Sequence, residues 1–296
     1  MNNTASEIYL LSLQSESSKV AMTSFLNKWA TMLQGVSSHN KLDWLTLSYT
    51  SILEAVTTLK NQGKAPSTIN NYLAAIKGAA KEAWKKEELT TRQYQYIKDI
   101  KRITGSRTNK GVALSKEQLR GLITTCHEEN TKRGCRDAAI IALSYGAGLR
   151  RSEAANLSLE DYSRKDKTIR ILGKGNKEEV STLNPSTISI LEEWISVRGN
   201  TKGSLFLRSR RGDNLENKSV TDQAIYDMVV ARCKQAGLGK VSPHSLRKSF
   251  ATQLLENGED LFIVQDLMRH ANIATTKTYD LRGKGVRVTA AQNLIF

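Results

Sequence analysis

A polar stretch about a third of the way along the chain most limits how it can fold. Residues 104–112 are Thr-Gly-Ser-Arg-Thr-Asn-Lys-Gly-Val, a basic segment rich in turn formers that is typical of a linker between domains. The 296 residues of the chain also exceed what a single hydrophobic core usually organises. We therefore predict two domains, residues 1–103 and residues 114–296, joined by a linker over residues 104–113.

The first predicted domain carries helical patterns and no strand pattern. Its apolar residues recur at the spacing of an α-helix in four stretches: residues 18–33, 44–59, 66–84 and 91–100. Pro66 opens the third stretch, where its fixed backbone angle suits the first turn of a helix. Residues 1–15 show no strong period. We predict a small all-α domain of four helices.

The second predicted domain mixes helices with a small sheet. Residues 168–172 are β-branched and apolar, residues 173–177 form a turn, and residues 180–183 can return as a second strand, which together predict a β-hairpin. Helical patterns surround this hairpin: residues 137–145, 185–197, 244–256 and 261–268. The fold class of the whole chain is therefore predicted to be mainly α with a small β-sheet.

The charge of the chain favours a polyanionic partner. Lys and Arg number 44 against 29 Asp and Glu, which gives a net charge of +15 and an isoelectric point near 9.7. The excess is spread over both predicted domains, with +7 in residues 1–110 and +8 in residues 111–296. Nucleic acid is the commonest partner of such proteins, although a generally basic surface would show the same balance. Charge therefore indicates a direction and does not assign a function.

Cysteine usage and hydropathy favour a cytoplasmic protein. The three cysteines contain no C-x-x-C pair, and their odd number disfavours a disulfide framework or a zinc site. The first eighteen residues contain no Lys or Arg, unlike a secretory signal. The longest uncharged runs, of which residues 138–149 are one, are too short to cross a bilayer, which needs about 20 residues. We predict a cytoplasmic location, no membrane association and no bound metal.

Two pairs of residues have the spacing and the chemistry to hold a phosphate group. His244 precedes Arg247 by three residues, so on a helix both face one ligand, which the guanidinium can bind with two hydrogen bonds and with which the imidazole can exchange a proton. Arg150 and Glu153 have the same spacing, directly after an apolar helix. Each pair alone is a weak indication, since H-x-x-R is common on helix surfaces and an exposed ion pair contributes only a few tenths of a kcal/mol.

Three further residues are candidates only in combination. Lys174 sits between two glycines at the predicted hairpin tip, where it is either a proton donor to a ligand or an ordinary basic turn residue. His270 is followed nine residues later by Tyr279, one of nine tyrosines, and a single tyrosine is by default a packing residue. Spacing alone does not single out Tyr279.

In this order, the motifs resemble the tyrosine recombinase/integrase family. The family pattern is an Arg followed three positions on by an acidic residue, a Lys in a β-turn, H-x-x-R, a His or Trp, and the Tyr nucleophile. The matching segments of this chain are Gly-Leu-Arg150-Arg-Ser-Glu153, Gly-Lys174-Gly, His244-Ser-Leu-Arg247, Met-Arg-His270 and Lys-Thr-Tyr279. The resemblance spans about residues 114–285 and extends to residues 66–73, which are similar to a core-binding helix of the family. One departure is Arg269, where family members usually have Gly.

The resemblance implies a fold, an activity and partners. The fold would be a SAM-like four-helix core-binding domain followed by an α+β tyrosine recombinase catalytic domain with a C-terminal tail. The activity would be site-specific cleavage and rejoining of DNA through a 3′-phosphotyrosine, without ATP, metal or another cofactor, for integration or excision of a mobile element or for resolution of DNA multimers. The partner would be double-stranded DNA with specific core sites, bound by a homotetramer on two sites. An accessory protein or a second recombinase is left open.

The resemblance also implies the roles of the reacting groups. Tyr279 would attack the scissile phosphate, His244 would accept its proton, and Lys174 would protonate the leaving 5′-oxygen. A free tyrosine has a pKa near 10, so ionising it at pH 7 costs about 4 kcal/mol. We expect the nearby cationic cluster to lower the pKa of Tyr279 and thereby this cost.

The remaining site residues would bind and orient. Arg150 and Arg247 would hold the non-bridging oxygens of the phosphate, His270 would add a hydrogen bond, and Glu153 would orient its neighbours. The resemblance implies DNA contacts by Thr68, Asn70, Asn71, Lys77, Arg151, Lys177 and Lys248. The tail, residues 283–296, would dock either on a neighbouring subunit or on its own domain.

Other classes of protein stay open at this point. A type IB topoisomerase or a telomere resolvase uses related chemistry, and a topoisomerase would relax supercoils without a defined site. A non-catalytic DNA-binding module would explain the charge but not the filled catalytic positions. A metal-dependent nuclease is disfavoured, because the sequence presents no cluster of Asp, Glu and His.

Overall fold

In the computed structural model, the chain forms two compact units, Met1–Asn109 and Lys110–Phe296. The described parts are residues 3–105, 112–173, 177–239, 241–270 and 272–280. The division lies inside the stretch predicted to link two domains, whereas the DNA-binding and catalytic roles of the two domains stay predictions. Within these described ranges, no helix combines the length and the apolar character needed to cross a membrane.

The N-terminal unit is built from helices around one core. Its described part holds the helices α1 (Ala5–Leu11), α2 (Glu16–Gln34), α3 (Tyr49–Asn61), α4 (Pro66–Lys85) and α5 (Thr91–Asp99), with a short 3₁₀-helix at His39–Lys41. One face of α4 is buried along its length: Ile69, Leu73, Ile76, Ala80 and Ala83. Trp29 of α2 is buried against it and donates its indole N–H to the carbonyl oxygen of Tyr72, 2.7 Å away.

Helix α1 is an addition to the four predicted helices. The hydroxyl of Thr4 accepts a hydrogen bond from the backbone N–H of Glu7 at 3.3 Å, and Glu7 accepts one from the backbone N–H of Thr4 at 2.8 Å. This reciprocal capping box stabilises the start of the helix. The helix packs closely on α4 because Gly78 has no side chain, since a Cβ there would lie 2.2 Å from the ring of Tyr9.

Helix α3 begins later than its apolar pattern predicts, at Tyr49 and not near Trp44. Ser48 caps it by accepting a hydrogen bond from the backbone N–H of Ser51 at 3.0 Å. Trp44 is buried in the loop before the helix, so it extends the apolar pattern without belonging to the helix.

The C-terminal unit surrounds one buried helix with others. Its described helices are α6 (Lys116–His127), α7 (Lys132–Gly146), α8 (Arg151–Asn156), α9 (Pro185–Arg198), α10 (Asp222–Gln235), α11 (Pro243–Glu256), α12 (Leu261–Leu267) and α13 (Ile273–Lys277). Helix α7 is buried from Gly134 to Ser144 and packs against α6, α9 and α11. Such burial on all sides explains its apolar composition, and it gives the chain that follows α7 a rigid starting point.

Two antiparallel sheets complete the described part of this unit. The first has the strand order β1 (Tyr162–Ser163), β2 (Thr168–Leu172) and β3 (Glu178–Thr182), and the second pairs β4 (Leu207–Ser209) with β5 (Leu215–Ser219). The predicted hairpin is β2–β3, although β3 begins at Glu178, earlier than expected, and Gly173 donates its backbone N–H to the carbonyl oxygen of Lys177 at 2.7 Å. Neither the second sheet nor α10 was predicted from the sequence. Strand β5 is mostly polar and lacks an alternating pattern, so it gave no strand signal.

Candidate active site

A sharp turn after α7 positions Arg150. Gly148 has a φ of +57°, and a Cβ at this position would lie 2.6 Å from the ring of Phe250, so glycine fits here without strain. The chain leaves this turn at Arg150, the residue that precedes α8. Glu153 accepts a hydrogen bond from the backbone N–H of Arg150 at 2.8 Å and pairs with its guanidinium at 2.5 Å. This ion pair is buried on the side of the carboxylate, which distinguishes it from an ordinary surface pair.

Arg247 of α11 is only 2% exposed and binds backbone groups. Its guanidinium donates hydrogen bonds to the carbonyl oxygens of Gly148 and Met268. Burial, followed by the neighbouring cations Arg150 and Arg269, lowers the pKa of Arg247 to about 9. The side chain therefore stays a cation at neutral pH, and it ties the end of α12 to the turn after α7.

Tyr279 lies beside the first of the two predicted histidines. Its hydroxyl is 3.2 Å from Nε2 of His244, within hydrogen-bonding distance. Desolvation of the imidazole, followed by the nearby cation Arg247, lowers the pKa of His244 below its ordinary value of 6.5. His244 is therefore uncharged at neutral pH and can accept the phenolic proton.

The tyrosine itself is buried. Tyr279 is 5% exposed and belongs to a small apolar cluster with Val264 and Met268. Burial raises the pKa of Tyr279, and the opposite effect of Arg247 and Arg150 does not outweigh it. The expected net lowering of this pKa is therefore wrong, because the cations act in the predicted direction but the desolvation of a phenolate is larger. Tyr279 is protonated at neutral pH and needs a base to react.

His270 stacks on Tyr279. The two ring centroids are 5.8 Å apart and the ring planes meet at 29°. Nδ1 of His270 lies 2.9 Å from the hydroxyl oxygen of Thr276. Burial, followed by Arg247 and Arg150, lowers the pKa of His270 to about 4. His270 is therefore neutral at pH 7, and Nε2 is the ring atom that can reach a ligand.

Arg269 joins the site, although the sequence motifs assign it no role. Its Nη2 lies 3.3 Å from the carboxylate of Glu153 and donates hydrogen bonds to the carbonyl oxygens of Ala147 and Gly148, at 3.1 and 3.0 Å. Its φ is +54°, in the left-handed region that favours glycine. The one signal for it in the sequence is the departure from the Gly that family members usually have before His270.

Glu153 carries the negative charge on which these arginines converge. Among the described residues, its carboxylate lies 2.5 Å from Arg150, 3.3 Å from Arg269 and 3.8 Å from Arg247. Burial raises the pKa of Glu153, but the backbone N–H of Arg150 and the charge of Arg269 lower it more, so the pKa lies below its ordinary value. Glu153 is therefore ionised at neutral pH and acts as an anchor for cations.

A cavity of about 270 Å³ opens beside these side chains. Its lining residues are Leu149, Arg150, Arg151, Tyr226, Ser242, Pro243, His244 and Arg247. A wall with several guanidinium groups and a neutral imidazole suits an anion such as a phosphodiester. The guanidinium of Arg151 lies 5.7 Å from the ring centroid of Tyr226 and 3.3 Å from the carboxylate of Asp222. Tyr226 and Ser242 belong to no spaced motif, which is why the sequence did not single them out.

The described structure brings most of the predicted catalytic group together. The residues that meet are Arg150, Glu153, His244, Arg247, His270 and Tyr279. Lys174 lies outside the described residues, as does the predicted tail at residues 283–296. In the part of the chain that is described, no group of three or more His, Cys, Asp or Glu side chains is arranged to hold a metal ion. The metal-independent reaction stays a prediction.

The predicted DNA contacts Asn70 and Lys77 face their own unit. The side-chain amide of Asn70 exchanges two hydrogen bonds with the backbone of Ile103, at 2.8 and 3.0 Å. The ammonium group of Lys77 donates to the carbonyl oxygens of Lys98 and Ile100, at 2.7 and 2.5 Å. Both side chains therefore fasten the end of α5 and the segment after it to α4.

The other predicted DNA contacts differ in their exposure. Thr68 is half-buried and Asn71 is exposed on α4, while Arg151 and Lys177 are exposed in the C-terminal unit. Lys248 is buried in α11. An exposed side chain can reach a phosphate directly, so Asn71, Arg151 and Lys177 are the best placed. All seven DNA contacts stay predictions.

The class of protein follows from this fold and site together with sequence comparison. The sequence signature of the phage integrase family matches residues 113–282, more than half of the chain. The chain belongs to the phage integrase family, the family of the tyrosine recombinases. The predicted family, the predicted enzyme class and the predicted fold class, mainly α with small β-sheets, are thereby confirmed.

The curated relatives of the chain include Xer recombinases. It is 30% identical over 264 residues to the tyrosine recombinase XerD of Oceanobacillus iheyensis, a match that covers 87% of this chain and 86% of that one. It is 28% identical over 274 residues to the tyrosine recombinase XerC of Actinobacillus pleuropneumoniae serotype 7, covering 91% and 85%. With XerC of Pelobacter propionicus the identity is 37% over 165 residues, which cover 55% and 53%.

Solved structures share the fold. The Tn1549 transposon integrase in complex with circular intermediate DNA matches with a TM-score of 0.71 at 18% identity, covering 99% of this chain and 100% of that one. The XerH site-specific recombinase bound to difH substrate matches with a TM-score of 0.69 at 24% identity, covering 94% and 79%. At these identities the likeness concerns the fold alone.

Proposed function

We propose that the protein cleaves and rejoins DNA at specific sites, with Tyr279 as the nucleophile and a 3′-phosphotyrosine as the intermediate. The observation that carries this proposal is the distance of 3.2 Å between the hydroxyl of Tyr279 and Nε2 of His244. Arg150 and Arg247 act electrostatically on the same tyrosine, which puts a nucleophile, a base and two cations in one place. Membership of the tyrosine recombinase family supports the same assignment.

The cleavage step exchanges one phosphodiester for another. The phenolic oxygen of Tyr279 bonds to the scissile phosphorus while the bond from phosphorus to the 5′-oxygen breaks. The phenolic proton passes to His244, which is uncharged at neutral pH. The leaving 5′-oxygen takes up a proton, for which Lys174 is the proposed donor. In the rejoining step a 5′-hydroxyl attacks the phosphotyrosine, so the energy of the bond is kept and no ATP is required.

The two arginines at the cavity stabilise the charge that develops on the phosphate. Arg150 and Arg247 line the 270 Å³ cavity together with His244, and both are held by backbone carbonyl groups. Donors that are already oriented need no rearrangement when charge builds up on the non-bridging oxygens. His270 adds a hydrogen bond to one of these oxygens, and Glu153 orients Arg150.

The proposed partner is double-stranded DNA with specific core sites, held by four copies of the chain on two sites. The net charge of +15 and the exposed side chains of Arg151 and Lys177 support binding to DNA. The related structures include an integrase with circular intermediate DNA and a recombinase with difH substrate. Residues 1–103 act as the core-binding domain and residues 114–296 as the catalytic domain, in the cytoplasm.

Two biological uses of this chemistry are consistent with the relatives. The matches to XerC and XerD favour resolution of DNA multimers, and the match to a transposon integrase favours integration or excision of a mobile element. The chemical step is the same in both uses, so the proposal covers both. It leaves open whether an accessory protein or a second recombinase takes part in the reaction.

A nicked suicide duplex tests the nucleophile. Core sequences are first selected from a randomised pool by binding to the full chain, and cleavage next to the nick then traps the covalent adduct. We expect an adduct that survives denaturation with the wild type and with the control Tyr145→Phe, and none with Tyr279→Phe, which keeps the ring. Equal adduct yield from Tyr279→Phe would overturn the assignment. Relaxation of a supercoiled plasmid that lacks the selected site would instead favour a topoisomerase.

A further inference from the structure

Arg269 occupies a backbone position that suits glycine and buries a charge there. Its φ of +54° lies in a region where a side chain is strained. The side chain is only 5% exposed, and within the described residues its Nε has no hydrogen-bond partner. A strained backbone and an incompletely satisfied buried cation both reduce stability, so stability alone does not explain an arginine here. The contacts of its guanidinium indicate another role.

The turns before Arg150 and before His270 are tied to each other in both directions. Nη2 of Arg269 donates hydrogen bonds to the carbonyl oxygens of Ala147 and Gly148, at 3.1 and 3.0 Å. Nη2 of Arg150 donates in return to the carbonyl oxygen of Arg269, at 3.1 Å. Because Arg269 directly precedes His270, these bonds set the position of His270 relative to Arg150.

Glu153 is held by Arg269 as well as by Arg150. Its carboxylate lies 2.5 Å from Nη1 of Arg150 and 3.3 Å from Nη2 of Arg269. A guanidinium carries five N–H donors, so Arg150 can bind Glu153 and the carbonyl oxygen of Arg269 and still present donors to the scissile phosphate. Without Arg269 the buried carboxylate would lose one of the cations that keep it ionised and in place, and Arg150 would lose a fixed anchor.

We propose that Arg269 is a positioning residue: it holds Glu153 and the turn before His270, so that Arg150 and His270 stay oriented towards the scissile phosphate. The inference rests on the proposed recombinase function and assigns a step within it. Since the side chain of Arg269 is buried, it acts on the rate of cleavage and not on the affinity for DNA.

The charges around Glu153 give this proposal a pH signature. Arg150 at the start of α8, Arg247 of α11 and Arg269 after α12 face its carboxylate. Glu179 of β3 acts on Arg269 in turn. Removing Arg269 takes away one of the cations that favour the ionised carboxylate, so the pKa of Glu153 rises. A protonated Glu153 no longer orients Arg150, so a variant without Arg269 loses cleavage at a higher pH than the wild type does.

The test measures single-turnover adduct formation on the selected suicide duplex at saturating DNA, as a function of pH. Arg269→Gly and Arg269→Asn remove the guanidinium with residues that accept left-handed backbone, and Arg269→Lys keeps a charge without the planar fork. We expect the Gly and Asn variants to lose rate by about 10- to 100-fold, with the acid limb moved to higher pH and the Kd for DNA unchanged. The Lys variant restores the acid limb but not the full rate.

Each outcome of this experiment supports or overturns the proposed role of Arg269. A wild-type rate and acid limb in both the Gly and Asn variants would overturn the proposal. A loss of rate with an unmoved acid limb, or with a matching drop in the thermal unfolding midpoint, would make Arg269 a merely structural residue and would also overturn it. If the wild type gives no more adduct than Tyr279→Phe, the proposed function itself fails, which separates the two results.

Discussion

The hydroxyl of Tyr279 lies 3.2 Å from Nε2 of His244, so the proposed nucleophile and its base are within hydrogen-bonding distance of each other. Desolvation favours the neutral form of both side chains, since it raises the pKa of Tyr279 and lowers the pKa of His244. Both groups are therefore neutral at pH 7. Charge appears on this pair only when the proton moves, and we expect that to happen when a phosphate lies against Arg150 and Arg247.

In the wild type, where the pKa of Glu153 is lowered, the pH dependence of cleavage should follow His244. The base has to be uncharged, and its pKa lies below 6.5, so the rate of adduct formation should be constant around pH 7 and fall only in acid. His244→Gln keeps a polar group that cannot take up the proton, and we expect it to lower the single-turnover rate by about 100- to 10,000-fold. The measurement is a pH–rate profile for both chains at saturating DNA, and a variant that keeps the wild-type rate would refute the role of the base.

The stability of the chain should fall in acid because of His270. Burial and the neighbouring cations lower its pKa in the folded chain to about 4, below its ordinary value of 6.5. A proton therefore binds the unfolded chain more readily, so this stabilisation is fully present above about pH 6.5 and is lost as the pH falls towards 4. Urea unfolding across that range measures the slope, which His270→Asn should reduce. Equal slopes for the two chains would contradict the prediction.

Gly148 should not tolerate a side chain. Its φ is +57° and a Cβ would lie 2.6 Å from Phe250, so we expect Gly148→Ala to reduce the free energy of unfolding by about 1–3 kcal/mol. The matched control is Gly121→Ala on α6, where a Cβ meets nothing within 4 Å and alanine should stabilise the helix by about 0.5–1 kcal/mol. Denaturant unfolding of the two variants should therefore give opposite signs, and a shared sign would argue against this account of the turn.

The neighbours Asn70 and Asn71 should separate stability from DNA binding. Asn70→Ala removes two hydrogen bonds and leaves backbone groups of Ile103 unpaired, which should cost about 1–3 kcal/mol in the free energy of unfolding. Asn71→Ala changes an exposed side chain, so stability should move by less than about 0.5 kcal/mol, whereas the affinity for DNA should fall. Denaturant unfolding and DNA titration at one fixed salt concentration measure both quantities. Unchanged DNA affinity in Asn71→Ala would remove it from the predicted contacts.

Most helices could be predicted because their signals are local. Helices α4 and α9 begin at Pro66 and Pro185, as proline at the first helical position indicates. Helix α1 was not predicted because its seven residues are too few to establish a period. The pair Thr4 and Glu7, which forms its capping box, is nevertheless visible in the sequence. The sheet of β4 and β5 was not predicted because the polar, largely solvent-facing residues of β5 give no alternating pattern.

The candidate site was predictable in its composition and not in its electrostatics. The resemblance to the tyrosine recombinase family, whose motifs occur in order along the chain, indicated the arginine, histidine and tyrosine residues, whereas helical spacing alone did not single out Tyr279. The direction of the pKa of Tyr279 could not be read along the chain, because it depends on how completely the ring is removed from water. The cations alone suggested a lowered pKa, and burial reversed the sign.

The amino-acid sequence by itself therefore determined which chemical groups the site contains and the helices and turns that carry them. Only the tertiary structure decided which of those groups touch and which of them are charged. Tyr279 meets His244 across 35 residues of chain, and Arg269 meets Glu153 across 116. Contacts over such separations arise when distant segments pack together, and the same packing removes the water that would otherwise keep each group near its ordinary pKa.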